Sequence, residues 1–375
     1  MGILPWPVAD DNTRIMSPYV LQPPFQHIGG LSWATPLDSA VFDDFDDVTD
    51  PARSTLSLME DSVALGPPHT AHQLIEKEGS GAFSHWGAWL YFSTTDGSDP
   101  NRNGRVYSVK RDVARYFGRR ANHAVGIVEN YLKKLPGGAS ALREAKVLEI
   151  GPGRDMGTVM LLAAMGAQRV VAVDRFLGAW QEDWHELFLT ILRRAAADAF
   201  QVDLTALVRE ATARQSFDIG SISFIDSAFE TLDVNQAGQF DVTLSHSVFE
   251  HFYSPSEAAR KLKALSSQDA VGAHHVDFRD HRNFGEPLEF LLVDDETYAL
   301  PETNSDYGRG NRMRYEELCT EMSQAGFEHL ASEPLTFSDE DYLKQLMPRL
   351  RESDSRFKNF RTDQLRVLSA AITYG

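Results

Sequence analysis

The chain is predicted to be an α/β protein, with a doubly wound, mostly parallel sheet preceded by a β-rich N-terminal extension. Three observations predict this. Val147-Leu-Glu-Ile-Gly-Pro-Gly-Arg-Asp-Met-Gly157 is a short apolar run that breaks into glycines and continues as a helical pattern. A second apolar run, Arg169-Val-Val-Ala-Val-Asp-Arg175, ends in an acid, completing the first half of a nucleotide-binding unit. Beyond it, strand-length apolar runs alternate with helical patterns, which is how parallel β-α-β units look in sequence.

In order along the chain, residues 1–105 are rich in Pro, Gly, Asp and aromatics, with short β-like runs at Ser57-Leu-Met59 and Ala88-Trp-Leu-Tyr-Phe-Ser93 between turn clusters. They are expected to form an accessory region, with the α/β domain at 106–375. The acidic run Asp43-Asp-Phe-Asp-Asp47 reads as a solvated turn, with a binding tail or metal loop as the alternatives. Apolar residues at Val109, Val113, Phe117, Ala121, Ala124, Val128 and Leu132 predict one helical face, ended by Pro136-Gly-Gly138.

The core is expected as strand 146–150, helix 156–165, strand 169–174 and a long helix from about 178 carrying Trp180, Trp184, Leu187, Phe188, Ile191 and Leu192. Strands at 219–225 and 240–245, a capped helix at 254–265 and a strand at 270–278 follow. A loop-rich insertion is expected at 282–311. After it come a helix at 313–325 stopped by Gly326, a strand at 327–335, an acidic helix at 338–352 and a closing strand at 365–374.

Composition limits the partners. With 375 residues and 42% apolar content the chain can bury a sizeable core, and its net charge of −18 opposes nucleic acid or an anionic membrane as the main partner. No run of apolar residues is long enough to span a membrane, and the one cysteine, Cys319, makes no intrachain disulfide. Together with an N-terminus unlike a signal peptide, this predicts a cytoplasmic protein.

A dinucleotide loop needs a third glycine at the sixth position of its motif, where this chain has Met156, with Gly157 one place later. That argues against an NAD-dependent oxidoreductase, which stays an alternative. Glu149-x-Gly151-x-Gly153-x-x-x-Gly157, with Asp174 closing the second strand, resembles the S-adenosylmethionine (SAM) site of the class I methyltransferases. The resemblance implies a Rossmann-like, seven-stranded fold and SAM as cofactor. It further implies that the loop passes under the amino-acid end of SAM, with Asp174 and its neighbour Arg175 at the ribose. Phe224-Ile-Asp226-Ser-Ala228 looks like the segment that meets adenine, so Asp226 and Ser227 join the cofactor set. Phe240 to His251 looks like the fourth strand and the loop beside the methionine part, which adds Ser245 and His246.

Methyl transfer to a hydroxyl requires a proton acceptor, and histidine suits that task at neutral pH. The candidate bases are His251, His275 and His281, each near the carboxyl end of an expected strand. Strand alternation puts His275, Asp277 and Arg279 on one face, so Asp277 and Arg279 are candidate substrate contacts. The density of His and Asp in His274–His281 also suits a divalent cation or plain strand-end structure, and no metal ligand set is assigned. Arg312 and Arg314 suit an anionic or hydroxyl-rich substrate, or else form the charged first turn of a helix. This segment loosely resembles methyltransferases of bacterial glycan and polar-metabolite pathways.

The expected activity is therefore SAM-dependent methylation of a hydroxyl, ahead of an amine, on a polar small molecule or glycan. The remaining alternative is a non-catalytic SAM-binding or glycan-binding module, in which Trp33, Trp86, Trp89 and Tyr91 grip a sugar face.

Overall fold

The computed structural model describes residues 17–39, 41–175, 179–298 and 310–375; the expected helix start at 178 and the 299–309 part of the insertion lie outside them. The chain divides into two compact units, Met1–Ala121 with Gln181–Ile191, and Asn122–Trp180 with Leu192–Gly375.

The first unit is built on eight short strands among its described residues: β1 (Tyr19–Val20), β2 (Gln26–Gly29), β3 (Ser32–Pro36), β4 (Leu56–Glu60), β5 (Val63–Ala64), β6 (Phe83–Trp86), β7 (Trp89–Phe92) and β8 (Tyr107–Arg111). They form two antiparallel sheets, ordered β1-β8-β4-β5 and β2-β3-β7-β6. Val109 belongs to β8 and not to the helix expected from it. Its neighbours Tyr107 and Arg111 are buried with it while Lys110 points outward, a period of two, and the helix begins at Val113.

The acidic run is not a solvated turn. Asp44 and Asp46 are buried, Asp44 accepting from Arg111 at 2.8 Å and Asp46 from the Ser54 amide at 2.8 Å, with His69 Nδ1 also 2.8 Å from Asp46. Asp43 pairs with Arg120 at 2.9 Å. Charge in a sequence normally marks a wet surface, but here each carboxylate has found a donor, which is the condition for burying it. The aromatics of the small sheet divide as well. Trp86 faces Trp89 across β6 and β7, and Tyr91 shares their side, whereas Trp33 is registered with Phe92 on the opposite one.

Among the described residues the second unit carries a seven-stranded sheet: β9 (Lys146–Ile150), β10 (Arg169–Asp174), β11 (Ile222–Asp226), β12 (Phe240–His246), β13 (Ser266–Asp277), β14 (Ala331–Phe337) and β15 (Val367–Tyr374). Its order is β11-β10-β9-β12-β13-β15-β14, with β15 antiparallel to both neighbours. β9 pairs in parallel with β10 on one side and β12 on the other, so the chain reverses its direction of winding at β9, where open sheets bind ligands. Leu148, Ile150, Val171 and Val173 pack in one apolar cluster with Leu262 and Leu265 of the helix Pro255–Leu265, and with Ile372 of β15. Each such side chain contributes about 1.5–3 kcal/mol by leaving water.

Several boundaries differ from expectation, β13 among them, which begins at Ser266. β14 starts at Ala331, because Phe327 turns into the core against Tyr374 with ring centres 4.3 Å apart. The strand expected from 219 starts at Ile222. The described part of the insertion is not simply loop: Leu288, Phe290 and Leu291 form an apolar cluster with Leu343, Leu346 and Leu350 of the helix Glu340–Glu352.

Arg312 and Arg314, expected at the substrate, are framework. Arg314 is almost wholly buried and donates to the carbonyls of Phe278, Leu365 and Val367, tying the helix Tyr315–Gln324 to β13 and β15. Arg312 is buried against Tyr298 and donates to the Phe290 and Val293 carbonyls and to Asp295. Both guanidinium groups are buried, out of reach of a substrate that stays in water. Arg314→Ala orphans three carbonyls and is expected to destabilise the protein by about 3 kcal/mol or more, read from urea unfolding.

Candidate active site

Three loops leave the carboxyl ends of β9, β10 and β12 side by side. The first is the glycine loop. Gly151 and Gly153 have φ of +67° and +75°, which L side chains adopt only with strain. At Gly151 an added Cβ would meet Val248 Cγ2 at 2.5 Å, so the loop after β12 closes directly on it. At Gly153 a Cβ would meet nothing within 4 Å, which leaves the backbone there open to a ligand. Gly157 then begins the helix Gly157–Ala164, its amide donating to Asp155 at 3.1 Å.

Glu149 stands beneath the loop and is almost fully buried. One oxygen accepts from Tyr131 at 3.0 Å, while Oε2 has no partner. Burial pushes its carboxyl up to about 8, a hydrogen bond from Tyr131 pulling the other way. Tyr131 went unnoticed in the sequence, although it lies three residues beyond Val128 of the expected helical face.

On the other side of β9, Asp174 and Asp226 end adjacent parallel strands and are registered with each other. The Ser227 amide donates to the Asp174 carbonyl at 3.1 Å. Arg175 stacks over Tyr253 at 4.6 Å and pairs with Glu230 at 3.4 Å. Ser245, expected at the cofactor, is instead fully buried with its hydroxyl 2.8 Å from His274 Nδ1. Strand alternation turns it, with Thr243, into a polar knot that also holds Tyr374. His274 has both ring nitrogens engaged there.

His246 points to the other face and stacks on His275, ring centres 4.4 Å apart and planes 15° apart, with His123 edge-on to it at 6.1 Å. Burial pushes His246 down to about 3, helped by the two neighbouring rings. Burial also lowers His275, against the pull of Asp277. Asp277 is gripped by both arms of Arg279 at 2.6–3.1 Å. Burial works against this carboxylate, but Arg279 and the adjacent His281 ring hold it well below the usual range. His251 and His281 lie edge to face, 5.0 Å apart, and burial pushes His251 down to about 4.

The arrangement is an open glycine backbone above a carboxylate with one unused oxygen, between two acidic strand ends and a group of neutral imidazoles. It fits a ligand that carries an ammonium group and a ribose. Residues 185–270 match the family model described as methyltransferase domain. The matched stretch begins beyond the glycine loop and Asp174, so the geometry of that loop is a separate observation. The structure is similar to an S-adenosylmethionine-dependent methyltransferase from Mesorhizobium loti, with 12% identity and a TM-score of 0.36 over 69% of this chain and 96% of that one. It is also similar to an arsenic(III) S-adenosylmethionine methyltransferase from Chlamydomonas reinhardtii, with 14% identity and a TM-score of 0.36 over 68% and 72% of the respective chains. No curated protein matches the sequence. Among the described residues no helix is long and apolar enough to cross a membrane.

Glu149 gives the protein a pH signature. Its folded value of about 8 lies above the ordinary 4.5, so the folded state holds the proton more tightly than the unfolded chain. The stabilising contribution is complete below about pH 4.5 and is lost as the pH rises towards 8. Glu149→Gln is expected to flatten that decline in thermal midpoints measured from pH 5 to 8.

Proposed function

We propose that the chain is an S-adenosylmethionine-dependent methyltransferase that transfers the methyl group to a hydroxyl of a polar small molecule or sugar, with His275 as the general base. The observation that carries this is the pair of stacked imidazoles, His246 and His275, near the carboxyl ends of β12 and β13, with the Asp277 carboxylate beside His275. An amine acceptor that arrives already neutral has less need of such a group.

In this reading Gly151, Gly153 and Gly157 shape the cradle, and Glu149 turns its unused oxygen to the cofactor's ammonium. Asp174 receives the ribose hydroxyls, Asp226 and Ser227 border the adenine, and His246 lines the methionine part. When bound, SAM supplies an electrophilic methyl group on a sulfonium. The acceptor oxygen takes the methyl as the carbon–sulfur bond breaks, and the hydroxyl proton passes to the His275 ring, which stacking on His246 holds in a fixed orientation. His251, at about 4, is a weak base for neutral pH. Asp277 keeps negative charge beside the imidazolium that forms at His275, and Arg279 fixes Asp277.

Residues 1–105 serve as an accessory region, and Trp86, Trp89 and Tyr91 on one side of the small sheet suit the apolar face of a sugar. A cytoplasmic location belongs to the same reading, supported by the half-buried thiol of Cys319.

The test has two parts. Calorimetry with SAM is expected to show binding that Asp174→Ala weakens at least about tenfold. Methyl transfer to a panel of hydroxyl and amine acceptors is expected to favour hydroxyls, with His275→Ala lowering kcat by about 10²–10⁴ and leaving SAM affinity intact. Transfer to amines alone, or full activity in His275→Ala, overturns the proposal.

A further inference from the structure

Beyond β12 the chain makes a tight turn, Phe249–His251, that Asn311 pins from the side. The Asn311 amide donates to the Glu250 carbonyl at 2.7 Å, and its side chain donates to the Phe249 and Phe252 carbonyls at 2.8 and 3.1 Å. Glu250 is thereby held inward, 5% exposed, and neither carboxylate oxygen has a hydrogen-bond partner. Facing it is His281, whose Nε2 is also buried without a hydrogen bond. The distance from Nε2 to Glu250 Oε1 is 3.9 Å, too long for a hydrogen bond and too short to admit a water between them. His251 completes the group, so that one donor atom from each of Glu250, His251 and His281 lies within 4.8 Å of the others.

A buried carboxyl and a buried ring nitrogen aimed at one another with nothing between them are unusual, because each forfeits its hydration. We propose that Glu250, His251 and His281 form a binding site for a divalent cation of the transition series. Two donors that share an ion at about 2.1 Å are at most about 4.2 Å apart, so small side-chain rotations bring this set to ligand distance. Two imidazoles and one carboxylate suit Mn²⁺, Fe²⁺, Co²⁺, Ni²⁺ or Zn²⁺ and are a poor cage for Mg²⁺ or Ca²⁺, which take oxygen ligands.

The surroundings agree. Asp277, 3.6 Å from His281 Nε2, adds negative potential but is held by Arg279 and stays outside the ligand set. Asp280 accepts from Arg282 at 3.1 and 3.2 Å, and its amide donates to Pro287, which fixes the backbone that presents His281. Arg175 and Arg279 are the cations nearby, each occupied by its own acid, Glu230 and Asp277. The expectation that assigned no metal saw His251 and His281 as separate candidate bases, and overlooked Glu250 as the acid joining them.

Binding of the ion does not depend on the acceptor proposed above; only its use in lowering the pKa of a hydroxyl rests on that reading. The full chain, freed of metal by chelation, is titrated with Mn²⁺ while the electron paramagnetic resonance signal of the free ion is followed. About one Mn²⁺ per chain is expected, displaced by Zn²⁺ but not by equimolar Mg²⁺, with pulsed spectra showing nitrogen couplings from two imidazoles. Glu250→Gln and His281→Ala are each expected to weaken binding at least about 100-fold. No binding of Mn²⁺ at millimolar concentration, or bound Mn²⁺ without nitrogen coupling, overturns the proposal, as does unchanged affinity in both variants. If the variants fail to fold, the nitrogen couplings of the unaltered protein decide. SAM affinity, measured on the same metal-free protein, separates this result from the proposed function, which fails on its own if SAM does not bind.

Discussion

The site depends on β9 being paired in parallel on both sides. That pairing brings Glu149 and Ile150 into register with Ala172 and Val173 of β10 on one side and with Leu244 and Ser245 of β12 on the other. All three strands therefore release their chains at one edge, and the glycine loop, the acid at Asp174 and the imidazole at His246 meet without any of them being close in sequence. A one-residue slip of β12 would turn His246 into the core and bring Ser245 out, exchanging a ring at the active edge for a hydroxyl.

Burial then sets the chemistry. Glu149, Glu250, His246, His251 and His275 are all pushed towards their neutral forms by the same cause, loss of water. Asp277 is the exception because Arg279 outweighs the burial. The site thus presents largely uncharged imidazoles and carboxyls beside the acids Asp174, Asp226 and Asp277. An open site would offer the same residues in their ordinary protonation states, and its electrostatics would be weaker by the screening of water.

Much of this was legible in the sequence, for physical reasons that differ by element. Strands buried on both faces read as continuous apolar runs, so Val147–Ile150 and Val170–Val173 stood out, and glycines at positive φ marked the loop. The helical face of 113–134 was legible too, but its start was not, because Val109 fits a period of four and a period of two equally well. Long-range partners left no local trace. Arg314 looks like a substrate-facing charge until the carbonyls of Leu365 and Val367 are seen to converge on it. The acids at Asp44 and Asp46 look solvated until Arg111, Ser54 and His69 arrive from distant positions. Glu250 leaves no mark in the sequence, because what distinguishes it is the absence of a hydrogen-bond partner, a property of the folded chain alone.

The position of β15 has a consequence for how the molecule is made. Residues 367–374 pair with β13 on one side and β14 on the other, so those two strands have no direct contact across the sheet. During synthesis the half of the sheet from β11 to β12 finds its partners in order as it emerges, whereas β13 and β14 expose unpaired edges until 367–374 has been made. An exposed edge is an aggregation hazard. The charged and proline-bearing sequence of β14, with Glu333 and Pro334 near its centre, is the kind that protects such an edge while it waits.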